Sequence, residues 1–312
     1  MTTGHQTLPQ LRGGIFLTDS GLETTLVFHD GLDLPCFASF TLLAGEAGQS
    51  RLAQYYDEHI AIAREAGFGF VLESPTWRAS ADWGKRLGLS RERLAALNAG
   101  SIALMRDLKQ RNLDVPMVVS GNLGPRGDGY AAGSGMSAET ARSYHSRQIE
   151  TLTAAGAEMI SAFTMNDATE ATGIVRAAED AGLPVAISFT VETDATLPSG
   201  QSLGDAIRVV DDATAGAAAY FMLNCAHPEH FADALRTEAD WTRRLRGLRA
   251  NASRRSHAEL DEATDLDDGD PHELGRQYRE LREVLPGLAV LGGCCGTDHR
   301  HVASIARACG GQ

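Results

Sequence analysis

Basic residues are scarce in this sequence. Its 28 Lys and Arg stand against 41 Asp and Glu, a formal net charge of −13. That balance excludes nucleic acid and anionic membrane surfaces as partners, since both are bound by clustered positive charge. Long apolar runs are missing as well, and with them any segment able to cross a bilayer. The opening stretch, Met1 to Gly14, lacks the basic start and apolar core of a secretion signal. Aromatic residues make up only 6%, yet hydrophobic residues reach 43%, enough for a large core. Cysteine is sparse and odd in number, five with two adjacent, a poor framework for disulfides. These absences predict a cytoplasmic protein acting on small molecules, in reducing surroundings that keep thiolates free. They leave open whether it forms a homo-oligomer.

What is present is a repeating plan. A length of 312 residues allows two average domains or one large α/β barrel. Ala66-Gly67, Ala155-Gly156, Ala181-Gly182 and Ala215-Gly216 each close a helix-like segment and precede a short apolar run. Glycine just past a helix end takes the left-handed conformation freely, and the chain then turns into a strand. The runs that follow begin near Phe68, Ala157, Leu183 and Ala218, and similar runs start at Gly14, Val115, Arg244 and Leu288. Between them lie amphipathic stretches such as Ser90 to Arg111, with Leu94, Leu97, Ile102, Met105 and Leu108 roughly on one face. Eight apolar strands alternating with helices predict α/β architecture, a single (β/α)8 TIM barrel over 1–312. A doubly wound sheet is the alternative, weakened because no GxGxxG follows the first strand. The stretch 253–275 departs from the plan. It is strongly acidic and reads as an insertion after strand seven: a solvated loop or exposed helix, a lid, or an oligomer contact.

Chemistry-bearing residues cluster at the ends of the apolar runs: Asp19, Glu73, Asn122, Asn224 with Cys225, Asn251, and Cys294 with Cys295. In a TIM barrel those ends form the catalytic face. Gly292-Gly293-Cys294-Cys295-Gly296-Thr297 sets two thiols among glycines, which let the backbone bring sulfurs together. Cys225 caps strand six, 69 residues earlier, close enough across a barrel mouth to join them. Three thiolates suit Zn2+ and leave its fourth position open, the mark of a catalytic rather than a structural site. A thiol entering that position loses its proton and becomes a nucleophile, which fits alkyl transfer to sulfur. Other arrangements compete: a Cys294–Cys295 disulfide with a redox role, a closed site completed by His227, His299 or His301, or zinc-bound water for hydrolysis. Cys36 and Cys309 have no partner in the pattern and read as ordinary cysteines.

With these residues in view, the chain resembles the homocysteine S-methyltransferase family over nearly its whole length. The matching features are Asp19-Ser20-Gly21 with Glu23, Gly121-Asn122-Leu123-Gly124-Pro125, Asn224-Cys225, and the Gly-Gly-Cys-Cys-Gly-Thr block. The resemblance implies a zinc-bearing barrel with the metal on Cys225, Cys294 and Cys295. It also implies that Asp19 helps hold an acceptor amino acid, with Glu73 and Asn224 as further catalytic candidates. Glu23, Phe163 and Thr164 join Asp19 as expected acceptor-binding positions. Strand four departs from the family pattern. Where the family usually carries Phe-Glu-Thr, whose glutamate binds the homocysteine amino group, Phe163 occupies the glutamate position before Thr164. Strand two departs too, with Glu73-Ser74-Pro75-Thr76-Trp77 in place of a Thr-Asn-Thr-like segment. Asp19 or Glu73 then takes the ammonium, or the acceptor is another small thiol. The expected donor is a small onium compound, S-methylmethionine, S-adenosylmethionine or betaine, seated against Trp77 or Trp83 by cation–π attraction. A catalytically silent zinc-binding or redox barrel is the non-enzyme alternative.

Overall fold

The chain was analysed as a computed structural model that describes residues 8–131, 135–237, 239–263 and 265–311. Eight strands close into a barrel in chain order, each parallel to its neighbours. They are β1 (Phe16–Leu17), β2 (Gly69–Glu73), β3 (Met117–Leu123), β4 (Met159–Met165), β5 (Val185–Phe189), β6 (Tyr220–Asn224), β7 (Leu245–Ala250) and β8 (Val290–Gly293). Phe16 pairs with Val290 and with Gly69, so β1 seals the barrel despite its two-residue length.

The eight principal helices carry the number of the strand they follow: α1 (Glu46–Ala66), α2 (Arg91–Arg111), α3 (Ala138–Ala155), α4 (Ala168–Asp180), α5 (Leu203–Thr214), α6 (Pro228–Leu235), α7 (Pro271–Val284) and α8 (His299–Gly310). In α2 the hydroxyl of Ser90 caps the first turn by accepting from the Arg93 amide, and Leu97, Ile102, Met105 and Leu108 are buried, with Leu94 only partly so. The expected helix stops occur at Gly67 and Gly156, both left-handed. The third turns at Gly182. At the fourth, Ala215 itself is left-handed ahead of Gly216. No helix among the described residues is long and apolar enough to cross a membrane.

Two cores result. The larger lies between strands and helices; the smaller fills the barrel, where Phe16, Val71, Val118, Met159, Tyr220 and Val290 meet. Alternate strand residues point inward, and the inward series turns polar toward the strand ends: Val71 gives way to Glu73, Val118 to Ser120, Met159 to Ser161. Leu8 packs into the opposite end, and Gln10 donates to the Tyr220 hydroxyl there at 3.4 Å. The N-terminal end of the barrel is therefore plugged, and the polar layers face the C-terminal mouth.

Candidate metal centre and active site

A cavity of about 460 Å³ opens at that mouth. Every polar residue expected at a strand end lines it: Asp19, Glu73, Asn122, Asn224 with Cys225, Asn251, and Cys294 with Cys295. The sulfurs of Cys225, Cys294 and Cys295 lie within 4.8 Å of one another, and theirs is the cluster among the described residues able to hold a metal ion. Cys225 and Cys294 are in direct, disulfide-like contact, with Cα atoms 5.4 Å apart. Cys295 Sγ lies 3.9 Å from Cys225 Sγ. Sulfur contact thus joins strands six and eight rather than the adjacent pair. Gly292 and Gly293 let the end of β8 pack closely just before the cysteines, because a side chain at Gly292 would run into Thr18 and one at Gly293 into Thr297. Burial pushes the Cys295 thiol up from its usual pKa, and a cation beside it would favour the thiolate. His227, His299 and His301 stay out of the cluster: His227 caps α6, and His301 bonds the Asp268 carbonyl at 2.8 Å beneath α8.

Asn224 organises the sulfur wall. Its Nδ2 donates to Cys225 Sγ at 3.2 Å and to Thr164 Oγ1 at 2.8 Å. Its Oδ1 accepts from the Thr164 amide at 2.9 Å and the Ser188 hydroxyl at 2.7 Å. These bonds hold Thr164 at φ 59, a left-handed conformation that a β-branched residue adopts only under constraint. The register between β4 and β5 shifts at this point. Phe163, just before the kink, belongs to the inner core and faces the cavity.

Asp19 is already engaged. Its Oδ1 accepts from Arg249 Nη1 at 2.7 Å and its Oδ2 from the Tyr55 hydroxyl at 3.1 Å, all three groups being buried. The Arg249 guanidinium also donates to the Gly293 carbonyl at 3.0 Å and the Ser20 carbonyl at 2.9 Å, and lies 4.9 Å from the Phe163 ring centre. Burial pulls the Arg249 pKa down, but the charge and hydrogen bond of Asp19, with Glu73 behind them, hold it above its usual value. Glu23 accepts from the Ser39 hydroxyl at 2.7 Å, and burial raises its pKa against that bond.

Glu73 ends β2 with one oxygen served and one not. Ser161 donates to Oε1 at 3.0 Å and shares a 2.7 Å hydrogen bond with Ser120. Among the described residues Oε2 has no hydrogen-bond partner, although it is buried. Burial raises the carboxyl pKa from 4.5 to about 7, against the pull of Arg249. A carboxyl whose pKa rises on folding favours the folded state below its unfolded pKa and ceases to do so as pH rises through the folded value. The metal-free protein is therefore expected to lose about 3 kcal/mol between about pH 4.5 and 7 from this group. Urea unfolding of wild type and Glu73→Gln at pH 5 and pH 8 checks this. The variant should lack that part of the slope, and identical slopes would contradict the assignment.

One expectation needs correction. Trp83 does not line the cavity; the guanidinium of Arg78 lies 4.3 Å from its ring centre and that of Arg86 4.5 Å. Trp77 does line it, but Arg78 sits 4.8 Å from its ring centre too. Arginine thus already uses the aromatic faces expected to hold an onium group. The acidic stretch 253–275 follows β7, as expected, and contributes to the cavity. It holds a short helix, His257–Asp261, and runs into α7, while His257, Leu260, Asp265, Leu266 and Asp267 line the cavity as one wall.

Sequence reasoning missed Arg249, His257 and Tyr130. Arg249 was readable by parity: it stands two residues after Gly247, whose missing side chain faces Met222 of the inner core. His257 Nε2 meets the Cys225 carbonyl at 2.6 Å, and its ring centre lies 4.4 Å from that of Tyr130, tilted by 42°. The Tyr130 hydroxyl lies 3.6 Å from Cys295 Sγ. Tyr130 comes from a loop and His257 opens the short helix within 253–275, and neither segment has a periodicity that signals an inward turn. Cys36 is exposed and Cys309 buried, both outside the cluster.

A model of the family described as homocysteine S-methyltransferase matches residues 16–309. Homocysteine S-methyltransferase 4 of Zea mays is 25% identical over 95% of this chain and 90% of its own length. Homocysteine S-methyltransferase 1 of Arabidopsis thaliana is 23% identical over 95% and 93%. Crystal structures of the Escherichia coli homocysteine methyltransferase MmuM share the fold. The oxidised form gives a TM-score of 0.75 at 20% identity, covering 96% of this chain and 99% of that one. The metallated form gives 0.75 at 18% identity, covering 95% and 97%.

Proposed function

This chain belongs to the homocysteine S-methyltransferase family and is a methyltransferase, and on that premise we propose that it moves a methyl group from a small onium donor to a zinc-held thiol, with homocysteine as acceptor and methionine as product. The observation that carries this reading is the meeting of Cys225, Cys294 and Cys295 sulfurs on the wall of one cavity. Three cysteines are a soft donor set suited to zinc with one position open. The three sulfurs lie within 4.8 Å of one another, near enough to share one ion once Cys225 and Cys294 are both reduced. Zinc there supplies the charge that lets an acceptor thiol ionise near neutral pH.

The remaining steps belong to the chain's own residues. Asn224 fixes Cys225 and the Thr164 kink, and so sets where the acceptor sulfur sits. Asp19 and Glu73 line the same cavity, with Glu23, Phe163 and Thr164, and this reading gives these residues the rest of the acceptor. Six carboxylate side chains line the cavity (Asp19, Glu23, Glu73, Asp128, Asp265 and Asp267) against the guanidinium groups of Arg78 and Arg249. That excess of negative charge suits a cationic donor such as S-methylmethionine, S-adenosylmethionine or betaine. As the acceptor thiolate attacks the donor methyl carbon, a carbon–sulfur bond forms and the donor's bond to that carbon breaks. The electron pair leaves with the donor heteroatom, whose positive charge is discharged. Alignment of the two partners is the main demand on the enzyme.

One observation favours a second reading, in which the acceptor is another small thiol: Asp19 is neutralised by Arg249, and Phe163 offers no charge. Mass spectrometry of zinc-loaded protein with homocysteine and each of the three donors tests the proposal. Methionine formed with at least one donor, and not by Cys295→Ser, is the expected result. No methylated product from homocysteine or a panel of other small thiols would overturn it.

A further inference from the structure

Charge and hydrogen-bond supply do not balance around Glu73. Asp19 and Arg249 satisfy each other at 2.7 Å, which leaves Glu73 as the surplus carboxylate of the inner polar layer. Ser161 serves its Oε1, Ser120 lies close enough to favour the ionised carboxyl, and Oε2 itself makes no hydrogen bond among the described residues. Burying a carboxylate oxygen without a partner is costly, and such groups are rare unless a ligand completes them. Two amide oxygens on the same cavity, those of Asn122 and Asn251, are buried and unpartnered as well. An amide can present either its oxygen or its nitrogen, whereas an ionised carboxylate can only accept. The group that completes Oε2 of the ionised carboxylate is therefore a donor, and a cationic donor also draws this raised carboxyl into its ionised form. A soft metal is not that group, because the cluster of possible ligands contains the three cysteines and excludes Glu73.

We propose that Glu73 Oε2 is the seat of the acceptor's ammonium group, so that this site selects thiols carrying a primary amine over the same thiols without one. This rests on the thiol-methyltransferase reading and names which acceptors that site takes. It moves the ammonium contact from β4, where Phe163 stands, to β2 on the same inward face. Phe163 then serves as an apolar wall, with the Arg249 guanidinium 4.9 Å from its ring centre. A primary ammonium has three N–H groups, enough to meet Oε2 and a second acceptor on the cavity wall.

Calorimetric binding to zinc-loaded protein tests the assignment, using homocysteine and 4-mercaptobutanoate, which differ only in the amino group. Wild type is expected to bind homocysteine about thirtyfold more tightly, as a charge-assisted hydrogen bond implies. In Glu73→Gln the preference should shrink to under threefold. A wild-type preference below threefold overturns the proposal, and so does a preference that survives in Glu73→Gln. Should that variant not fold, Glu73→Asp keeps the charge but withdraws it by one methylene. An intermediate preference is then expected, and an undiminished one counts against the assignment. Methyl transfer to both thiols is assayed alongside. Discrimination in binding with no transfer to either would reject the catalytic reading alone, and transfer to both without discrimination would reject the ammonium seat alone.

Discussion

The Cys294→Ser substitution is expected to remove bound zinc and methyl transfer together while leaving the barrel folded. Serine's hydroxyl stays protonated and hard, so it cannot replace a thiolate in a soft donor set. Cys294 is half-buried and lies beyond the end of β8, outside both apolar cores, so its loss opens no cavity in either. Without the metal, a free thiol of pKa about 8.5 is only a few per cent ionised at pH 7, which alone costs about thirtyfold. Loss of a fixed position for the acceptor sulfur adds to this, and a total fall on the order of a thousandfold is expected. Zinc content by mass spectrometry, methyl-transfer rate and circular dichroism, measured on one preparation, check all three parts. A zinc-free variant with undiminished activity would refute the mechanism.

The second large effect is on stability. Arg249→Leu leaves Asp19 as a buried charge with only the Tyr55 hydroxyl and its own surroundings to stabilise it. Removing one partner of such a pair costs about 3–5 kcal/mol, whereas removing both often costs far less. Urea denaturation should therefore show Arg249→Leu well below wild type, with the double variant Asp19→Leu, Arg249→Leu recovering much of the loss. Simple additivity of the two single substitutions would mean that the contact carries no coupling. The pair matters for function as well as folding, because it ties β7 to the turn after β1 beside the sulfur cluster. Arg249 bonds Gly293, the residue just before Cys294, and Ser20, the residue just after Asp19.

The sequence and the structure meet most closely where short-range rules apply. Glycine-closed helices and apolar runs predict eight strands, and the barrel has eight. Residues at the strand ends, Asp19, Glu73, Asn122, Asn224, Asn251 and the three cysteines, face one cavity because a parallel barrel sends every strand end to the same mouth. The limits are equally physical. Asp19 and Arg249 are 230 residues apart, and no local pattern tells that their charges cancel. Trp77 and Trp83 announce aromatic faces, but Arg78, which lies against both, is placed by the loop after β2, and Arg86 reaches Trp83 from the next turn of the short helix Ala81–Arg86. The acidic composition of 253–275 speaks for solvent, yet its few apolar residues, Leu260 and Leu266 among them, turn toward the cavity. The Thr164 kink is also illegible, since a left-handed threonine exists only because Asn224, sixty residues away, holds it.

The claim on which the rest depends is that the acceptor sulfur joins the three cysteines on one metal. Zinc X-ray absorption on the loaded protein, before and after addition of homocysteine, measures it directly. The account predicts three protein sulfurs at about 2.3 Å before addition and four sulfurs afterwards, with any oxygen or nitrogen neighbour displaced. A sulfur count that stays at three when homocysteine is saturating, or a first shell built from nitrogen and oxygen, would contradict it.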